Sequence, residues 1–130
     1  MTMGQAFFGF NGRLPRGEYF GLSIAAAIVL LIALFLAMTM LRSTSLDLGI
    51  GVYLAVSGWV SAALVAKRLH DMGMPGMNAA WIVPIQLAAG WYAGRGGFAA
   101  IVSLAALGIG LWLLFTRGDS GRNAYGPELE

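Results

Sequence analysis

The chain has 130 residues, which is enough for one domain but not for two. Hydrophobic residues make up 58% of the chain and charged residues only 11%, whereas a soluble domain carries about 25% charged residues. This composition excludes an ordinary soluble protein, and a net charge of +2 without a basic stripe excludes nucleic acid as a partner.

The predicted fold is an all-α membrane protein with four transmembrane helices. Four apolar segments lack charged residues and come close to the roughly 20 residues that a spanning helix needs. We predict helices at approximately residues 19–41, 48–66, 77–93 and 97–116. The third segment is the shortest and contains Pro84, which predicts a kink because proline removes a backbone hydrogen bond. This segment either crosses the bilayer or enters it and returns.

The distribution of cations favours crossing. Four crossings place residues 1–18, 67–76 and 117–130 on one side, with six of the eight cations, and leave Arg42 and Arg95 on the other. The positive-inside rule then puts the three segments and both termini in the cytoplasm. A returning third segment would send the C-terminal tail outside and weaken this bias. We therefore predict a single membrane domain over residues 1–130.

Three polar motifs lie in these three segments. They read FNGRLPRGEY at residues 10–19, KRLHDMGMPG at 67–76 and GDSGRNAYGP at 118–127. In order and spacing the motifs resemble the domain of unknown function 805 family, small bacterial inner-membrane proteins of the YhaH type. The resemblance covers nearly the whole chain. It implies a multi-pass protein of the bacterial inner membrane, and it implies no activity, because the family has none assigned.

Two prolines depart from the family pattern. Pro15 and Pro75 stand where the family usually has serine, a residue that caps the start of a helix. Proline at the first helical position also starts a helix. We therefore interpret both prolines as replacement helix starts.

Asp71 is the most informative polar residue. We predict that it lies in the last turn of the second long helix, followed by Gly73 as a left-handed cap. A carboxylate there faces the negative end of the helix dipole and needs a cationic partner. The possible partners are Lys67, Arg68, Arg13, Arg16 and Arg122.

The polar motifs predict one cluster at the cytoplasmic ends of the helices. Its predicted members are Arg13, Arg16, Glu18, Lys67, Arg68, His70, Asp71, Arg122, Asn123 and Tyr125. One interpretation is a clasp, in which ion pairs and caps hold the helix ends in register. The other is a site for an anion or a lipid headgroup, lined by Arg13, Arg16, Arg68 and His70. Ion-pair networks and functional sites look alike in sequence, so a charged cluster by itself does not indicate a binding site, and we favour the clasp.

Two function classes fit the sequence poorly. An enzyme would have to use His70, Asp71 and Ser120, and no nucleophile, metal or nucleotide motif accompanies them. We therefore expect no catalytic residue, no metal and no cofactor. An ion-coupled transporter needs an ionisable residue within the membrane, and none of the four segments has one. A small uncoupled transporter or channel would require that Gln86 and Ser57 face a hydrated cavity.

The remaining class is a non-enzymatic membrane module. Its cytoplasmic polar face would bind a lipid headgroup, a partner protein or a small anion. The expected partners are the lipid bilayer and either a second copy of the chain or another membrane protein. This is the function that the sequence favours.

Overall fold

A computed structural model describes residues 2–40, 46–92 and 96–127 of the chain. The described residues form five α-helices. They are α1 (Met3–Phe8), α2 (Arg16–Met40), α3 (Leu46–Asp71), α4 (Ala79–Tyr92) and α5 (Gly97–Phe115), with a 3-10 turn over Gly76–Asn78 before α4. The described part contains no β-strand, only an isolated bridge between Asn123 and Gly126. The prediction of an all-α protein is confirmed.

Three helices are long and apolar enough to cross a membrane. These candidate spans are Arg16–Met40, Leu48–Asp71 and Gly97–Phe115. The third predicted segment forms α4, which has 14 residues with Pro84 inside it and is too short to meet the same criterion. Of the four predicted spanning helices, three therefore have the required length and composition. The two cations predicted for the opposite side, Arg42 and Arg95, lie outside the described residues.

Several helix boundaries differ from the sequence prediction. The second long helix, α3, continues past the predicted apolar segment of residues 48–66 to Asp71, so Lys67 and Arg68 belong to its last turns and Asp71 lies in its last turn as predicted. The segment before residue 19 also contains a helix, α1, which begins with a capping box between Thr2 and Gln5.

Each of the two prolines directly precedes a helix but does not form its first residue. Pro75 is the N-cap of the 3-10 turn, with an extended ψ of 136°. Pro15 precedes α2, and its carbonyl oxygen accepts a hydrogen bond from the Tyr19 amide at 2.8 Å. The prolines mark the helix starts as predicted, one position earlier than expected.

Helix α3 lies at the centre of the bundle and packs against the other four helices. Leu14, Leu69, Ile82 and Leu113 are fully buried around its C-terminal half. Elsewhere the long helices expose large apolar side chains, such as Val29, which is 64% exposed. An apolar surface of this extent suits contact with lipid hydrocarbon rather than with water.

The helix ends are gathered at one end of the bundle. The Leu14 amide, just before α2, donates to the Lys67 carbonyl oxygen at 3.0 Å, and the Asp119 amide, just after α5, donates to the Asp71 carbonyl oxygen at 2.7 Å. Helix α2 therefore starts at this end, whereas α3 and α5 finish there. The 3-10 turn that leads into α4 begins five residues after Asp71 and packs against α3, so α4 starts at this end as well.

Candidate functional site

Asp71 is the centre of the polar cluster. Its Oδ1 accepts a hydrogen bond from Arg13 Nε at 3.0 Å and forms an ion pair with Arg13 Nη2 at 2.9 Å, and its Oδ2 accepts a hydrogen bond from Arg68 Nη1 at 2.7 Å. Lys67, Arg68 and Asp71 are 0% exposed and Arg13 is 3% exposed. Buried charges are found where they are paired and hydrogen-bonded, and both arginines meet that condition at one carboxylate. Gly73, with a φ of 75°, ends α3 as predicted.

Arg68 also caps the C-terminus of α5. Its Nε donates to the Leu113 carbonyl oxygen at 2.7 Å, and its Nη2 donates to the Thr116 carbonyl oxygen. The last carbonyl groups of a helix have no partner within the helix and carry its negative dipole end. The guanidinium group therefore satisfies the end of α5 and ties it to the end of α3.

Lys67 caps the C-terminus of α1. Its ammonium group donates to the carbonyl oxygens of Gln5, at 2.7 Å, and Ala6. The indole nitrogen of Trp59 donates to the Phe8 carbonyl oxygen at 3.1 Å. Three carbonyl groups near the end of α1 are thus satisfied by side chains of α3, which suits a short helix lying against an apolar bundle.

Arg13 connects the cluster to the C-terminal tail, residues 116–127. Its Nη1 donates to the Gly121 and Gly126 carbonyl oxygens at 2.8 and 3.2 Å, and its Nη2 donates to the Asp119 carbonyl oxygen at 2.8 Å. A planar guanidinium with five donors can serve a carboxylate and several carbonyl groups at once, which lysine cannot do. One side chain therefore joins the N-terminal segment, the end of α3 and the tail.

His70 holds the other side of the tail. Its ring stacks on Tyr125 with the ring centroids 3.9 Å apart and the planes 6° from parallel. Its Nδ1 lies 2.9 Å from the Gly12 carbonyl oxygen, and Asn123 Nδ2 donates to the His70 carbonyl oxygen at 2.8 Å. The tail motif is therefore packed against the end of α3.

The charges of the buried cluster are balanced largely by helix dipoles. Arg13, Lys67 and Arg68 carry three positive charges and Asp71 carries one negative charge, which leaves two positive charges. The C-termini of α1, α3 and α5 all face these cations, and each helix C-terminus acts as about half a negative charge. Within the described residues, no buried side-chain nitrogen or oxygen lacks a hydrogen-bond partner.

Two glycines allow the backbone to approach the carboxylates closely. A Cβ atom at Gly118 would overlap the carboxylate of Asp71, and one at Gly73 would overlap that of Asp119. Only glycine leaves room for these contacts, so the two glycine positions belong to the cluster as much as its charged residues do.

The structure brings most of the predicted site residues together. Arg13, Lys67, Arg68, His70, Asp71, Asn123 and Tyr125 surround the end of α3. Arg16, Glu18 and Arg122 are exposed, and Arg16 Nη1 lies 3.5 Å from the Phe115 carbonyl oxygen. Of the five proposed partners of Asp71, Arg13 and Arg68 contact its carboxylate, whereas Lys67 is directed at α1.

Asp119 is the residue that the sequence prediction missed. Its backbone contacts both Arg13 and Asp71, and its Oδ2 accepts a hydrogen bond from Asn123 Nδ2 at 3.2 Å. The signal was its place in the third polar motif, between Gly118 and Gly121. The described residues contain no group of three or more histidine, aspartate or glutamate side chains that could hold a metal ion.

A family model described as "Protein of unknown function (DUF805)" matches residues 7–127, which include all three polar motifs and the described helices α2 to α5. The chain belongs to this family. The match covers all three polar motifs in their observed order. The family description assigns no activity. No curated protein and no solved structure matches the chain.

Proposed function

We propose that this DUF805 protein is a non-enzymatic module of the bacterial inner membrane, with four crossings and both termini in the cytoplasm. Helix direction supports this topology, because α4 starts and α5 finishes at the polar cluster. The 3-10 turn and α4 together rise about 27 Å, close to the rise of about 28 Å for α5. The path from the cluster to the start of α5 is therefore long enough to cross a hydrocarbon core of about 30 Å with slight thinning.

Cysteine labelling tests this topology directly, because the chain has no cysteine. We expect Ala93→Cys, in the connection after α4, to react with a membrane-impermeant maleimide in intact cells. Ser120→Cys, in the tail, should react only after the cells are permeabilised. Labelling of Ser120→Cys in intact cells would contradict the cytoplasmic tail, and protection of Ala93→Cys would contradict the crossing by α4.

The state of the buried cluster supports a non-enzymatic role. Both carboxylate oxygens of Asp71 are occupied by Arg13 and Arg68, and the ring of His70 contacts Gly12 and Tyr125 instead of Asp71. A general base needs a side chain that can reach a substrate proton. These groups are instead committed to holding helix ends, which favours the clasp.

We further propose that the cytoplasmic face binds anionic lipid headgroups. The buried cations are hydrogen-bonded to partners inside the protein, and this observation carries the proposal. Contacts with headgroups would therefore be made by the exposed cations around the cluster. These are Arg16, Arg117 and Arg122. They lie near the helix ends, at the level where the phosphates of the inner leaflet are expected. A basic residue near an anionic membrane surface contributes about 1 kcal/mol to binding.

The dependence of stability on lipid charge tests the headgroup proposal. In nanodiscs, the melting temperature of the wild type should rise as phosphatidylglycerol replaces phosphatidylcholine. Arg16→Ala combined with Arg122→Ala should remove most of this rise. The matched variant Arg16→Lys with Arg122→Lys keeps the charges and should keep the rise. A loss of stability that is equal in both lipids would show that these arginines serve only the fold.

One observation favours the second candidate function, an uncoupled transporter or channel. Ser57 and Gln86 line the same cavity between the helices. No charged residue is among the described residues that line it, so the cavity offers no ionisable group for coupling to protons or ions. Water in this cavity would favour a polar pathway, whereas a bound molecule would favour a binding site.

A further inference from the structure

A cavity with a volume of about 700 Å³ lies between α2, α3 and α4. This volume is within the range of about 300 to 1,000 Å³ that is typical of small-molecule sites. Most of the lining is aliphatic. It includes Leu31, Met38 and Leu54, which are also substantially exposed on the apolar outer surface of the bundle. The cavity thus offers hydrocarbon contacts next to a surface that faces lipid.

Hydroxyl groups form a stripe on the wall provided by α3. Tyr53, Ser57 and Ser61 are four residues apart and all line the cavity, so they follow one face of the helix. The hydroxyl of Ser57 already donates to the Leu54 carbonyl oxygen at 3.2 Å. The opposite wall contributes Gln86 of α4. Gln86 is half-buried and lines the cavity together with the α3 hydroxyls.

These polar groups lie deep in the bundle. A Cβ atom at Gly58 would be 3.7 Å from Leu87 Cδ1, so Gln86 is level with the stretch of α3 around Ser57. Ser57 precedes Asp71 by 14 residues, which corresponds to about 21 Å along the helix. With a hydrocarbon core of about 30 Å, this depth is in the interior of the bilayer. Phospholipid headgroups and esters lie near the interface and do not reach it.

We propose that this cavity binds an uncharged lipid whose carbonyl group lies deep in the membrane, the chemistry of an isoprenoid quinone. The absence of charged residues from the described lining disfavours a phosphate or carboxylate headgroup. The Gln86 amide and the hydroxyls of Tyr53 and Ser61 are donors suited to a carbonyl acceptor. The aliphatic walls suit an isoprenoid tail. This site is separate from the surface cations of the proposed function, so either proposal can fail alone.

A short-chain quinone tests the proposal on the full chain in detergent. Decylubiquinone should raise the melting temperature in a saturable manner, because it binds the folded state. Gln86→Leu should weaken the apparent affinity about tenfold, the effect of losing one hydrogen bond to the ligand, without lowering the melting temperature of the ligand-free protein. Ala27→Phe should fill part of the cavity and abolish the shift.

Thr39→Val is the matched control, because Thr39 Oγ1 donates to the Leu36 carbonyl oxygen of its own helix and is not part of the cavity. This variant should bind decylubiquinone as the wild type does. Equal stabilisation by decylbenzene, which has the tail without carbonyl groups, would overturn the proposal in favour of a hydrocarbon site. Failure of decylubiquinone to bind, or binding that ignores Gln86→Leu, would also overturn it. If dioctanoylglycerol bound in a Gln86-dependent manner and decylubiquinone did not, the quinone class would be excluded.

Discussion

Replacing Asp71 with alanine is expected to lower the free energy of unfolding by about 3 to 5 kcal/mol, enough to remove most of the folded protein from membranes. The buried guanidinium groups of Arg13 and Arg68 would lose the one carboxylate that both of them contact. Two buried cations would then lack the carboxylate that offsets part of their positive charge. The measurement is the yield of monodisperse protein after detergent extraction, together with its melting temperature.

Two control variants help to interpret Asp71→Ala: one separates charge from shape at position 71, and the other removes an exposed carboxylate elsewhere. Asp71→Asn keeps the side-chain volume and one acceptor but removes the charge, so it should fall between the wild type and Asp71→Ala. Glu18→Ala removes an exposed carboxylate in the first turn of α2, where it is worth only about 0.3 to 1 kcal/mol with the helix dipole. An Asp71→Ala protein as stable as Glu18→Ala would refute the role of Asp71 as the centre of the clasp.

The second large effect is expected at Gly118, a residue without a side chain. Gly118→Ala would place a Cβ atom on the carboxylate of Asp71. Either the tail or the carboxylate must move, and both are held by Arg13. Overpacking of this kind costs about 1 to 3 kcal/mol, and lost hydrogen bonds add to it. We expect a lower melting temperature and faster proteolysis of the tail.

Gly108→Ala is the matched control on α5. Nothing lies within 4 Å of the Cβ atom that it would add, and alanine is a better helix former than glycine by about 1 kcal/mol. This variant should therefore be as stable as the wild type or slightly more stable. If Gly118→Ala behaved like Gly108→Ala, the close approach of the tail to Asp71 would not be needed for stability.

Local rules were sufficient to predict the end of α3. Glycine at position 73 favours a left-handed cap, so the cap followed from spacing alone. A carboxylate in the last turn of a helix requires a cation nearby, and Arg68 was one of the two candidates on the same helix. Arg13 was one of three possible partners from other segments. Its selection depends on where the N-terminal segment meets the end of α3, and no local rule contains that information.

The role of Lys67 was not predictable for a related reason. Its side chain was a candidate partner of Asp71 on the same helix face, but it caps α1 instead. The first predicted helix began at residue 19, so the prediction offered no earlier helix end whose carbonyl groups Lys67 could satisfy. The length of α4 was also missed, because an apolar run shows where a helix can lie in lipid but not where its hydrogen bonding begins.

The sequence by itself determined that the chain is helical, that three of its helices are apolar enough to cross a membrane, and which helix end carries Asp71. It also predicted that the three polar motifs share one compartment. These features follow from composition, from local caps and from the balance of charges across loops, all of which act over short stretches of chain. The tertiary structure alone decided that Arg13, Lys67 and Arg68 satisfy the ends of α1, α3 and α5 and that Gln86 faces the hydroxyl stripe of α3. Those contacts join residues up to 62 positions apart, so they exist only once the helices have packed.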